Sequence, residues 1–444
     1  MGFDDHHPPR RELIDDCVHC GFCLPACPTY ALGGEEADSP RGRIHLMAQV
    51  LDGASLPGSV TTHVDRCLSC MGCLTACPSG VRYDELVEAT RAQIERQVRR
   101  PVRERVVRAL IFGLFPHPRR LRVARAMLAA AEATGLRSLL RRDAVAARLP
   151  PFARAMESIA PPVSRIERLP RRIPADGERR GTVGMLTGCV QNVFFSSVNA
   201  ATARLLAAEG FEVVVPAAQG CCGALSGHVG REEEAIRYAK STIDTFEASG
   251  VTVIVVNAAG CGSAMKEYGR LLRDELAYAH RASQFSANTR DLSEFLVEMG
   301  PRAQRNPLHT TAVYQDACHL AHAQRIRSQP RALLAAIPGL EVREIAEAEL
   351  CCGSAGVYNL LQPEAARELG DRKAANVLAA DAELLVTANL GCLMQIRAAV
   401  KRSGRSITAV HIAEILDASL QGVPVPGTAR TAVPVAEIPR PQGV

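Results

Sequence analysis

The chain has 444 residues, 47% of them hydrophobic, with 52 basic against 47 acidic side chains and a formal net charge of +5. That length suggests two to four domains, while the mild charge, the absence of Trp and an aromatic content of 4% argue against a single-stranded nucleic-acid binder, which needs stacking platforms. Sixteen cysteines behind a polar start (residues 1–9), with no apolar run of signal or transmembrane length, argue against a secreted disulfide scaffold or a membrane-spanning chain and point to metal-bound thiols in the cytoplasm.

Residues 1–98 carry two cysteine runs: Cys17-Val-His-Cys20-Gly-Phe-Cys23-Leu-Pro-Ala-Cys27-Pro28 and Cys67-Leu-Ser-Cys70-Met-Gly-Cys73-Leu-Thr-Ala-Cys77-Pro78. Each has the C-x2-C-x2-C-x3-C-P spacing of bacterial two-cluster ferredoxins, in which the fourth cysteine serves the other cluster. The expected ligand sets are therefore Cys17, Cys20, Cys23 and Cys77 for one 4Fe-4S cluster and Cys67, Cys70, Cys73 and Cys27 for a second. A structural zinc site, commonly built from two C-x2-C pairs, fits these runs poorly. Gly21 and Gly72 are expected to make tight turns beside the sulfurs. Between the runs, Ser39-Pro40 and the spacing of Ile44, Met47 and Leu51 predict a helix, with Arg41 and Arg43 either near cluster charge or at a solvated helix start. A second helix is expected over 83–98.

Residues 99–180 read as a basic helical segment and linker. Arg99, Arg100, Arg103, Arg105, Arg108, Arg119, Arg120, Arg122 and Arg125 surround the apolar stretch 109–115, and Pro116 and Pro118 separate two helical patterns. A basic amphipathic stretch of this kind suits an anionic membrane surface, a partner subunit or the chain's own core. The Pro- and Arg-rich stretch 150–180 reads as a linker.

From 181 a motif occurs twice. Thr187-Gly188-Cys189, Gly220-Cys221-Cys222-Gly223 and Asn257-Ala-Ala-Gly260-Cys261 are echoed by Asp316-Ala317-Cys318, Leu350-Cys351-Cys352-Gly353 and Asn389-Leu390-Gly391-Cys392. Two long copies indicate duplicated domains, 181–307 and 308–420, followed by a loosely ordered tail, 421–444. Strand patterns at 182–187, 211–215, 252–257, 312–315, 342–345 and 384–388 alternate with helix patterns at about 193–209, 231–249, 263–279 and 363–380. Alternation implies parallel α/β sheets. Ligands of such sheets gather at the carboxyl ends of strands, so Cys189, Cys221, Cys222 and Cys261 should meet in one crevice and Cys318, Cys351, Cys352 and Cys392 in another. These eight fit further iron-sulfur binding, thiol redox chemistry or plain packing. His319 and His322, beside Cys318, read as polar lining, ligands or proton relays. The expected fold class is thus an α+β and α/β multidomain chain: an α-helical, ferredoxin-like two-cluster module followed by two duplicated α/β domains.

The cysteine runs combined with the paired Cys-Cys-Gly repeat resemble the iron-sulfur subunit of bacterial glycolate oxidase over about residues 10–418. Ser39 to Met47, Gly188-Cys189-Val190-Gln191, Gly220 to His228 and Cys351 to Gly356 carry the likeness. The resemblance implies an electron-transfer subunit, not catalytic alone, peripheral on the cytoplasmic face of the inner membrane. Its partners would be FAD-containing subunits that oxidise glycolate to glyoxylate and a quinone or other respiratory-chain acceptor. It also implies two 4Fe-4S clusters, with one or two more in the repeats and no flavin in this chain. No G-x-G-x-x-G between strand and helix is found. The repeat is shared with lactate-oxidation, anaerobic glycerol-3-phosphate dehydrogenase and heterodisulfide reductase subunits. In the last, each copy ends in C-x2-C, whereas here the ends are Cys261-Gly-Ser-Ala264 and Cys392-Leu-Met-Gln395, which leaves four cysteines per copy.

Overall fold

Ser39 starts the helix around which the first hundred residues assemble. Its hydroxyl accepts the Gly42 N–H at 3.0 Å and Pro40 occupies the first turn, giving the helix Pro40–Leu51. Gly42 has no alternative, because a Cβ there would lie 1.9 Å from the Glu36 carbonyl oxygen. Ile44, Met47 and Val50 face inward and pack with Val60, Val64, Leu86, Val87 and Ile94, so this helix and Tyr83–Gln97 clasp the two cysteine runs. The structure, a computed structural model, describes residues 2–428; most of the tail expected over 421–444 therefore lies outside the described residues.

The first α/β unit holds five strands: β1 (Arg172–Ile173), β2 (Gly181–Met185), β3 (Phe211–Val214), β4 (Val253–Val256) and β5 (Thr289–Asp291), in the order β1-β3-β2-β4-β5. All pairings are parallel except β1 with β3. The second holds β6 (Thr310–Gln315), β7 (Leu340–Arg343), β8 (Leu384–Thr387) and β9 (Thr408–His411), all parallel, in the order β7-β6-β8-β9. Apart from β1, the two sheets have the same strand order. Near-continuous apolar runs such as Val-Ile-Val-Val in β4 suit strands covered on both faces.

The helices Ser196–Ala208 and Ile412–Gln421 pack face to face and join the sheets into one apolar core. Leu205, Leu206, Ile415 and Leu416 are fully buried there, each contributing about 1.5–3 kcal/mol. Arg204 pairs with Asp417 at 2.7 Å, Ser197 donates to Glu414 at 2.9 Å, and the Ala259 N–H reaches the Ala388 carbonyl at 3.4 Å.

Several elements differ from the sequence expectation. The connector 150–180 contains the helix Pro151–Ile159 and β1. Pro151 sits in the first turn, where its missing N–H costs nothing, and Phe152, Met156 and Ile159 pack on Ile111, Phe112, Val357 and Leu360. The helix expected over 263–279 breaks into Ala259–Lys266 and Tyr268–Leu271. There the Tyr268 hydroxyl donates to the Cys222 carbonyl at 2.6 Å and the Gly269 N–H to Ser286 Oγ at 3.1 Å. The tight turn in the second cysteine run falls on Met71, with φ +62°, and not on Gly72. Gly72 is needed for a different reason: a Cβ there would stand 3.0 Å from the Ala26 carbonyl.

Candidate metal centres

Cys17, Cys20, Cys23 and Cys77 line one small cavity, and Cys27, Cys67, Cys70 and Cys73 line a second, with Cys73 bordering both. Each run thus sends its fourth cysteine across to the other. Positive φ at His19, Gly21, Ser69 and Met71 curls the two loops round their sulfurs, and the Ser69 N–H points at Cys67 Sγ over 3.4 Å.

The surroundings favour negative charge at these sulfurs. Arg43, only 1% exposed, sends Nη1 to within 3.9 Å of Cys27 Sγ while Nε donates to the His63 carbonyl and Nη2 to Thr29 Oγ1. Arg41 is held by Glu36 at 2.6 Å and donates to the His19 carbonyl at 2.8 Å. Neither arginine is merely a solvated helix start. Arg91 donates to the Ser69 hydroxyl and to the Cys67 and His228 carbonyls, and no local sequence pattern marked it. Burial opposes ionisation of Cys67, but Arg43 and Arg91 outweigh it and hold the thiol below its usual range. Cys73 is pushed well up by burial and by Cys70 and Cys67 beside it; Cys70 is pushed well up by burial and by Cys318.

In the first α/β unit, Cys189 follows β2, Cys221 and Cys222 follow β3, and Cys261 follows β4. The Cys222 thiol is pushed well down by hydrogen bonds from Cys221 and Cys261, and Cys221 is pushed up by Cys189 and Cys222. In the second unit, Cys318 Sγ lies 3.9 Å from Cys351 Sγ, and Cys352 is pushed well down by hydrogen bonds from Cys351 and Cys392. Asn389 donates to Cys392 Sγ at 3.3 Å, and Lys373 Nζ is held against the Ala348 carbonyl at 3.1 Å near the same quartet. Gln395, where a fifth cysteine would stand, is committed to the Ala366 carbonyl at 2.7 Å. His319 and His322 serve docking: His319 Nε2 lies 2.8 Å from the Ser69 carbonyl and His322 Nδ1 lies 2.7 Å from Thr75 Oγ1.

Two quantities test whether an iron-sulfur group fits. Sulfurs round a single zinc ion lie about 3.8 Å from one another, given a Zn–S bond of about 2.3 Å. Among the described residues, the groups of three or more ligand atoms mutually within 4.8 Å are His6/His7/Glu232 and Glu35/Asp38/His63, and neither includes a cysteine. Single pairs such as Cys318 and Cys351 reach that spacing, but no three sulfurs of a quartet do, as one shared ion would require. Thiolates gathered away from water also repel one another, and the iron of a cluster neutralises that charge. The donor sets fit.

Comparison with known proteins gives an independent result. A 4Fe-4S dicluster domain matches residues 13–81, the linker region of glycolate oxidase iron-sulfur subunits matches 103–160, and a cysteine-rich domain matches twice, at 183–266 and 312–397. The chain is similar to a probable glycolate oxidase iron-sulfur subunit of Bacillus subtilis, with 39% identity covering 91% of this chain and 93% of that one. It is 36% identical to the glycolate oxidase iron-sulfur subunit of Escherichia coli over 92% of this chain and 95% of the other. Lactate utilization protein A of Bacillus subtilis is 30% identical over 53% of this chain and 98% of its own length. A crystal structure of a hypothetical protein from Helicobacter pylori shares the fold, with a TM-score of 0.56 and 9% identity over 92% of this chain and 72% of that one.

Proposed function

The chain belongs to the family of glycolate oxidase iron-sulfur subunits, and we propose from this that it relays electrons from a separate FAD-containing subunit, where glycolate becomes glyoxylate, to a quinone-type respiratory acceptor. The proposed ligands are Cys17, Cys20, Cys23 and Cys77 for one 4Fe-4S cluster and Cys67, Cys70, Cys73 and Cys27 for a second. Cys189, Cys221, Cys222 and Cys261, and likewise Cys318, Cys351, Cys352 and Cys392, would hold one further cluster each. Bound clusters exchange electrons singly, which suits the step after a flavin has collected a pair.

The rest falls to this chain's own residues. Arg43 and Arg91 offset sulfide and thiolate charge from inside the protein, where water does not screen it. Leu68, Tyr358 and Leu369 keep water from the sulfurs between the two modules. The observation that carries the reading is the meeting of Cys70 and Cys318. The second ferredoxin-type quartet abuts the second repeat quartet, with Leu68, Cys70, Cys318 and Cys351 in one buried cluster.

We further propose peripheral attachment to the cytoplasmic face of the inner membrane. No helix among the described residues is long and apolar enough to cross a membrane. The helix Val102–Leu114 instead leaves Val102, Val106 and Leu110, one face at i, i+4 and i+8, exposed at 72%, 53% and 57%. Arg99, Arg103, Arg105, Arg119 and Arg122, on and around this helix and the next, have no carboxylate partner among the described residues. Apolar side chains ringed by free cations suit an anionic bilayer surface.

The test is anaerobic purification with and without the flavoprotein partner. The expected result is cluster EPR signals on reduction of the isolated chain and glycolate oxidation only in the complex; glycolate oxidation by the isolated chain sinks the reading. A second reading, thiol–disulfide chemistry at Cys222 or Cys352, is favoured by the depression of both thiols. Alkylation of native protein at these cysteines with all iron retained would select it.

A further inference from the structure

A cavity of about 410 Å³ lies where all parts of the chain meet. One wall is Cys67 and Leu68 of the second ferredoxin-type loop, another is Tyr358 of the second repeat, and Val107 and Phe152 of the linker helices line the outer side. His228, from the first repeat, also borders it. Its size is that of a small-molecule pocket, and its walls are largely apolar.

One polar group opens onto this cavity without a partner. Tyr358 is 6% exposed, and its hydroxyl makes no hydrogen bond among the described residues. His228 Nε2 is unpartnered too, but it is sealed within the protein and does not open onto the cavity. A ligand in the cavity that carries an acceptor would satisfy the Tyr358 hydroxyl. Tyr358 packs in the same buried cluster as Leu68, Cys70, Cys318 and Cys351, so such a ligand would sit against two cysteine quartets at once. The helix that supplies Val107 to the cavity is the one that carries the exposed Val102, Val106 and Leu110.

We propose that this cavity is the headgroup site for a lipid-soluble quinone, entered beneath the helix Val102–Leu114, with Tyr358 donating to one of its carbonyl oxygens. The proposal rests on the electron-relay reading above. A quinone has a flat ring that suits the Leu68, Val107, Phe152 and Leu360 side chains of the wall, and a carbonyl acceptor for the open Tyr358 hydroxyl. The reaction balances: the hydroxy acid loses two electrons and two protons to become the oxo acid. The electrons arrive singly at the ring, and solvent supplies a proton to each carbonyl oxygen, which becomes the hydroxyl of the quinol.

The experiment titrates decylubiquinone into the iron-loaded full chain by calorimetry, alongside photolabelling with an azidoquinone. Wild type should bind. Tyr358→Phe should bind about 2–10-fold more weakly, the range for one neutral hydrogen bond, and Val107→Trp, which fills the cavity, should lose binding with iron content unchanged. Label should fall on the peptides carrying Leu68 or Tyr358. Unaltered affinity in both variants, or label confined to other peptides, overturns the site. If Val107→Trp fails to fold, Tyr358→Phe and the label position decide alone. A wild-type chain that keeps its iron and accepts electrons from its partner yet binds no quinone ends this proposal and leaves the relay standing, whereas an iron-free chain that is competent in the complex ends the relay itself.

Discussion

His319 Nε2 stands 2.8 Å from the carbonyl oxygen of Ser69, 250 positions away in the chain. That contact ties the turn after Cys318 to the loop carrying Cys67 and Cys70. His322 repeats the arrangement on Thr75. Both histidines follow Cys318 within a single wide π-turn, His319–Ala323, an element that often marks functional sites. Two side-chain contacts therefore join the loop carrying Cys67 and Cys70 to the turn after Cys318. His319→Ala should leave a buried carbonyl unsatisfied and cost about 1–3 kcal/mol. The check is the thermal midpoint of anaerobic protein alongside iron content; an unchanged midpoint would mean the contact does not hold the modules together.

Such docking was not legible in the sequence, because nothing local distinguishes a histidine that reaches a carbonyl 250 residues away. Arg91 and Tyr358 were missed for the same reason. The strands of the repeats were visible where three or four apolar residues run together, as at Val253–Val256 and Leu384–Thr387. β5 and β9 were not, since Thr289–Asp291 and Thr408–His411 are short and half polar. A usable signal was nevertheless present: Asp291 with Glu294 and His411 with Glu414 form capping boxes that start the following helices. The broken helix at Tyr268 goes with a contact to the Cys222 carbonyl, and Gly72 lies close to the Ala26 carbonyl, neither of which any periodicity reports.

Removing one thiol from each ferredoxin-type run separates the two sites. Cys20→Ala and Cys70→Ala should each lose one cluster, taking the four irons of that quartet, and block transfer to the acceptor. Iron and acid-labile sulfide analysis measures this. Full iron and full activity in both variants would contradict the ligand assignment.

Arg43 holds Cys27, Thr29, Asp38 and the His63 carbonyl together from inside the core. Arg43→Met strips the partner from the buried Asp38 carboxylate, a change worth about 3–5 kcal/mol. Part of that loss is spared because His63 and Arg66 also contact Asp38. We expect destabilised protein and early loss of iron from the Cys27 quartet under mild chelation. Retention of that iron on the wild-type time course would show that the guanidinium is not needed there.

Asp291 gives a pH signature of its own. Burial raises its carboxyl from 3.8 to about 6, although the Ser293 N–H donates to it at 2.7 Å. The folded state therefore binds more protons than the unfolded state between about pH 4 and 6, so this residue's contribution to stability falls as pH rises through that window and stays low above it. The size is on the order of 2–3 kcal/mol. Asn caps helices as well as Asp does, so Asp291→Asn should abolish this fall and be the more stable protein at pH 7. Parallel midpoint-versus-pH curves for the two proteins would refute the assignment.

The outer face of the helix Val102–Leu114 allows the membrane proposal to be separated from docking on another protein. Val106 and Leu110 are exposed one turn apart, and Arg103 and Arg105, which have no carboxylate partner among the described residues, lie beside them. Insertion of such side chains is hydrophobic, whereas the arginines act through a potential screened beyond about 8 Å at physiological salt. Wild-type protein should co-sediment with vesicles containing phosphatidylglycerol, less so at high salt and little with neutral lipid. Val106→Glu combined with Leu110→Glu should reduce sedimentation at every salt concentration without changing iron content, because neither side chain belongs to the buried cluster of Ile111 and Phe112. If the double variant still bound vesicles as wild type does, this helix face would not be what meets the membrane.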